Sequence, residues 1–151
     1  MEIEKKLKEM GLKLPKPPMP GGSYIPVQIA GNLAFTAGQI ASIDGERRYL
    51  GKVGDGVSLT EGVLSARDSC LNCLASLKQE LGSLERVKKI VKVLGFVNSA
   101  PGFLEQPAVI NGASDLLTAL WGDIGKHARS AVGVAELPFG ASVEIEMIVE
   151  I

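Results

Sequence analysis

A chain of 151 residues is long enough to bury a substantial core and short enough to form one domain, so neither disulfides nor a structural metal is needed to hold it folded. Hydrophobic residues make up 46% of it, which excludes a disordered segment, while a formal net charge of −1 and 5% aromatic residues leave RNA or DNA no basic track and few stacking platforms. No apolar run approaches membrane-spanning length and the first residues are rich in Glu and Lys, so no membrane association and a reducing, cytoplasmic setting are expected.

Residues 1–10 carry Ile3, Leu7 and Met10 at helical spacing among charges, with Gly11 as a stop, and predict a short amphipathic helix. Residues 12–22 hold Pro15, Pro17, Pro18 and Pro20 before Gly21-Gly22, which forbids regular helix and reads as an extended strap. Ten residues of helix cannot form a domain, so residues 1–22 are read as an attachment to a single domain over residues 23–151. Residues 24–30 and 33–37 alternate around Gly31-Asn32, a hairpin signal in which glycine supplies the positive φ of the turn. Residues 40–55 read as loop, with a turn at Asp44-Gly45, and no glycine-rich phosphate cradle is present.

Residues 60–81 form the clearest helix, with Val63, Cys70, Leu74, Leu77 and Leu81 as a stripe, Thr60 as cap and Gly82 as terminator. Cys70 and Cys73 make a lone C-x-x-C inside it. With His127 the only histidine, a four-ligand zinc site lacks partners, so the pair is read as buried thiols and no metal or cofactor is expected. Residues 87–98 predict a strand covered on both faces, and residues 103–122 a second long helix cored by Val109, Leu116, Leu117 and Leu120. Trp121 reads as core or interface.

The chain closes on two strands read as joined by a short turn. In the first, Arg129, Ala131, Gly133 and Ala135 share one face and Ser130, Val132 and Val134 the other, so a long cation stands over small residues with room for a ligand beside it. In the second, Val143, Ile145, Met147, Val149 and Ile151 face one way and Glu144, Glu146 and Glu150 the other. The order helix, two strands, helix, strand, helix, two strands describes an α+β fold, a mixed sheet with two long helices on one face. Its other face needs cover, which points to a closed, cyclic oligomer.

Gly22-Ser23-Tyr24, Ala37-Gly38-Gln39, Arg129-Ser130-Ala131-Val132 and Val143-Glu144-Ile145-Glu146 together resemble the RidA/YjgF family of reactive enamine/imine deaminases, over most of the chain from residue 23. The resemblance implies a chorismate-mutase-like subunit in a homotrimer whose sheets form a central barrel, with ligand pockets in the inter-subunit clefts. It implies hydrolysis of 2-imino acids, formed from their enamine tautomers, to 2-oxo acids and ammonia, with Arg129 gripping the substrate carboxylate and Glu144 positioning water. Tyr24 closes the pocket in this scheme, and Gly38 and Ala131 line it. Many members carry cysteine where this chain has Ala131, and the first 22 residues and the turn over residues 40–55 exceed the short family form. The bland readings make Glu144 an ion-pair partner at a subunit boundary, Glu146 structural and His127 a hydrogen-bonded loop residue. A trimer that binds small 2-oxo acids without turnover is the rival function, and the endoribonuclease or translation-inhibitor activity attached to the family name suits this neutral chain less well.

Overall fold

Two long helices lie side by side across one face of a mixed sheet in the computed structural model of the protein, which describes residues 2–151. In chain order the main elements are α1 (Glu2–Glu9), β1 (Val27–Ala30), β2 (Leu33–Thr36), β3 (Gln39–Ile40), β4 (Ser42–Ile43), β5 (Glu46–Arg47), β6 (Lys52–Val53), β7 (Gly56–Val57), α2 (Leu59–Leu81), β8 (Lys89–Asn98), α3 (Gln106–Trp121), β9 (Ala128–Val134) and β10 (Val143–Glu150). The α+β class and the two-helix cover expected from the sequence are both present. Residues 40–55, read as loop, carry the small pair β4–β5 and strand β6, which pairs with β7 just beyond them, with Asp44-Gly45 turning the first pair in the left-handed region.

Helix starts differ from the sequence reading for identifiable reasons. Ser58, not Thr60, caps α2: its Oγ accepts the Glu61 N–H and the Glu61 carboxylate accepts the Ser58 N–H, each at 3.1 Å. The Ser-x-x-Glu spacing satisfies two otherwise orphaned donors, which Thr60 has no acidic partner to do. α3 begins at Gln106 and not at 103, because Pro107 suits the first turn, where its missing N–H is no loss, while Phe103 is held in a preceding turn by the Ala100 carbonyl.

The sheet runs β1-β2-β10-β8-β9, with β3 pairing β10 beyond the end of β2. This corrects the reading of the last two strands as neighbours across a short turn. β8 lies between them, parallel to β9 and antiparallel to β10, so the chain crosses over instead of doubling back. In register, Val93, Gly95 and Val97 of β8 oppose Arg129, Ala131 and Gly133, while Phe96 and Leu94 oppose Glu144 and Glu146. Partners in register share a face. Arg129, Ala131 and Gly133 therefore lie on the helix side of the sheet, and Glu144 and Glu146 lie on the open side.

The core sits between sheet and helices, built from Leu74, Leu77, Ile90, Val93, Ile110, Leu117, Ile145 and Met147 among others. Ile3 and Leu7 of α1 join the same cluster. Lys6 donates to the Leu120 carbonyl at the end of α3, and the Ile3 N–H donates to Glu85. The open face carries Leu94, Phe96 and Ile148, each half-buried, beside an exposed Val132.

Candidate functional site

Glu144 and Gly38 meet at an irregularity in the sheet. β10 pairs β2 through Ile148↔Phe35 and β3 through Ile145↔Gln39, so Thr36, Ala37 and Gly38 oppose only Glu146 and Met147. That is a β-bulge, which breaks the ladder and re-aims side chains. A Cβ on Gly38 would stand 2.8 Å from the Glu144 Cδ, so glycine here lets the carboxyl lie flat on the main chain. Burial, and to a lesser degree the charge of Glu146, push the Glu144 carboxyl above its ordinary range. Among the described residues no hydrogen bond reaches that carboxyl.

The broken ladder is repaired from beneath. The Met147 N–H donates to Thr36 Oγ1 at 3.0 Å, Thr36 donates to Cys73 Sγ at 3.7 Å, and Cys73 donates to the Ile145 carbonyl at 3.3 Å. The Cys73 thiol is pushed up to about 12, chiefly by burial, so it stays protonated and serves as a donor. Both cysteines are buried and free. The C-x-x-C is thus a structural pair in which one thiol plugs the bulge, a role that spacing alone does not announce.

Arg129 is held from α3. Its Nη1 donates to Asn111 Oδ1 at 2.8 Å and to Ser114 Oγ at 3.1 Å, and its Nη2 donates to the Pro107 carbonyl at 3.2 Å. Ser114 also lies 2.9 Å from His127 Nε2, while His127 Nδ1 lies 2.7 Å from the Gly125 carbonyl. A carbonyl can only accept, so Nδ1 carries a proton; in the neutral imidazole Nε2 then accepts from Ser114, and the serine lone pairs are left for Arg129. Asn111 and Ser114, three residues apart on one helical face, were not singled out in the sequence. They are two of the five polar residues of α3, with Gln106, Asp115 and Thr118, and the available signal was their shared face three residues apart.

Side chains from α3 and from Ser99, just past β8, lie close to the small residues beside Arg129. A Cβ on Gly133 would come within 2.9 Å of Gln106 and Ser99, and one on Gly95, opposite Ala131, within 2.5 Å of Ile110. Ala131 packs against the core. These positions are small so that α3 can approach the sheet. Tyr24 is exposed, with its hydroxyl accepting the Gly21 N–H at 3.2 Å, and it bonds to neither Arg129 nor Glu144.

The Glu144 carboxyl therefore lies over Gly38 on the open face, and the Arg129 guanidinium is pinned to α3 at edge strand β9, across β8 and on the opposite face. Among the described residues no group of His, Cys, Asp and Glu is arranged to hold a metal.

The family described as "YjgF/chorismate mutase-like, putative endoribonuclease" matches residues 4–151. Protein TCP17 of Trypanosoma cruzi is 42% identical over 146 residues, 96% of this chain and 91% of that protein. A solved protein of Agrobacterium tumefaciens superposes with a TM-score of 0.92 at 44% identity, over 99% of this chain and 92% of the other. RidA from a Psychrobacter species superposes with a TM-score of 0.64 at 28% identity, over 90% of this chain and 94% of the other.

Proposed function

The chain belongs to the YjgF/chorismate mutase-like family, and from that premise we propose that it hydrolyses reactive 2-imino acids, formed from their enamine tautomers, to 2-oxo acids and ammonia in clefts shared between the subunits of a homotrimer. The observation that carries the reading is the Glu144 carboxyl, half-buried over Gly38 without a hydrogen-bond partner and with its proton affinity raised. An imine carbon is already electrophilic, so catalysis needs orientation, a placed water and proton transfer. Glu144 takes a proton from water as the oxygen adds to the N-protonated imine, giving a neutral carbinolamine. The carboxyl returns that proton to nitrogen, the C–N bond breaks with its electron pair leaving on ammonia, and the carboxylate takes the hydroxyl proton as the carbonyl forms. Raised affinity suits a carboxyl that holds a proton between the two steps.

Arg129 grips the substrate carboxylate, a task for which a planar, permanently charged guanidinium is the right group. Its half-site and that of Glu144 lie on opposite faces of one sheet, so a ligand touching both spans two copies, edge strand β9 of one against the open face of the next. The partly apolar open face supports such an association. Tyr24, exposed on its turn, closes the cleft in this arrangement.

Ammonia release from enzymatically generated 2-aminoacrylate tests the proposal. The wild type is expected to exceed the buffer rate and Arg129→Ala to lose at least about a hundredfold in kcat/KM, in line with the loss of a charged bidentate contact. No rate above buffer defeats it. A second reading, binding of 2-oxo acids without turnover, is favoured by Ala131, which removes the thiol many relatives carry. Saturable 2-oxobutanoate binding with no ammonia release selects it, whereas RNA cleavage surviving repurification selects the nuclease named in the family description.

A further inference from the structure

We propose that Asn111 and Ser114 are positioning residues that close one fork of the Arg129 guanidinium and leave its side edge as the sole carboxylate grip; this rests on the carboxylate role of Arg129 given above. A guanidinium offers five N–H donors in one plane and two edges on which a carboxylate can seat bidentately. One edge uses a hydrogen of each terminal nitrogen, and the other uses Nε–H with Nη2. Here both hydrogens of Nη1 are committed, to Asn111 Oδ1 and Ser114 Oγ, which removes the first edge. Nη2 gives one hydrogen to the Pro107 carbonyl, and Nε–H is unengaged among the described residues. With the Pro107 carbonyl taking the Nη2 hydrogen on the Nη1 side, what remains for a carboxylate is Nε–H with the other Nη2 hydrogen.

None of these acceptors is charged, so the guanidinium is oriented while its charge is left unpaired. An aspartate or glutamate in place of Asn111 would hold the plane equally well and neutralise it toward an incoming anion. Ser114 has a further partner of its own: because its hydroxyl hydrogen goes to His127 Nε2, its lone pairs are fixed toward Arg129. Gly125 in turn sets the histidine tautomer, so the line Gly125, His127, Ser114, Arg129 is ordered in one direction. A carboxylate approaching this arginine meets a pre-set plane, and the rotamer freedom that a free arginine would surrender on binding has been surrendered on folding.

The test uses the full chain in its native assembly, with steady-state imine hydrolysis and calorimetric titration of 2-oxobutanoate on Ser114→Ala, Asn111→Ala, the double variant, Ser114→Thr and Arg129→Ala. Alanine is the stronger helix former at both sites, so folding is preserved, and circular dichroism melting checks it. Each single alanine variant is expected to raise KM and the 2-oxobutanoate Kd about tenfold with kcat within about twofold, the scale of one hydrogen bond to a charged group. Ser114→Thr, which restores the hydroxyl, is expected to return both constants to within about threefold of wild type. Unchanged KM and Kd in the double variant, with Arg129→Ala inactive, would overturn the positioning role and leave the deaminase reading standing. Wild-type turnover by Arg129→Ala would overturn both.

Discussion

Glu144 is the residue whose environment says most about chemistry. Its carboxyl is half-buried and faces Glu146 two residues on, and both effects favour the protonated form, burial more than the like charge. Because the folded state holds this proton to higher pH than the unfolded chain, folding takes up protons between the two values, and stability falls as pH rises through that window. Below the ordinary carboxylate range of about 4.5 the penalty is absent, and above the raised folded value it is complete. Glu144→Gln removes the ionisation, so its melting temperature is expected to exceed that of wild type by more at about pH 8 than at about pH 4, while its imine turnover falls. Equal differences at both ends, measured by thermal denaturation, would contradict the cause assigned here. The residue types at this site were legible in advance: Arg129, Glu144 and Gly38 stand out by alternation and resemblance. Their partners were not, since nothing in Asn111, Ser114 or Thr36 as letters says which strand each will face.

At the scale of elements, the bulge between β2 and β3 opposite β10 sets where Glu144 points. Its cost is a pair of main-chain groups without ladder partners, offset by Thr36 and Cys73 from below. Thr36→Val keeps volume but leaves the Met147 N–H buried and unpaired, so it is expected to lose about 1–3 kcal/mol in denaturant unfolding. The same elements show why periodicity reads helices better than pairing. The stripe of α2 and its Gly82 stop follow from residues within one or two turns of each other. The partner of β9 is fixed instead by α3, which carries the chain across the sheet and lays β9 parallel to β8, a crossover that two adjacent runs of alternating residues do not reveal.

For the whole molecule, the proposed shared cleft makes a demand that can be checked by mixing, because Arg129 and Glu144 lie on opposite faces of one sheet. Arg129→Ala and Glu144→Gln are each expected to be inactive alone. Unfolded together and reassembled in equal amounts, they should recover up to about a quarter of wild-type turnover, because that share of clefts draws its arginine from one variant and its glutamate from the other. A mixture as inactive as its parents would show that a single subunit carries the whole site.

By itself the sequence determined what local spacing controls, three helices, strands with opposed faces and buried thiols, while its motifs carried the family resemblance. Only the tertiary structure decided that the last two strands are separated by β8, that Arg129 and Glu144 face opposite ways, and that α3 packs close over Gly133 and over Gly95, the neighbour of Ala131. Alternation fixes which residues share a face of one strand, but which face is covered depends on contacts made by residues far apart in the chain.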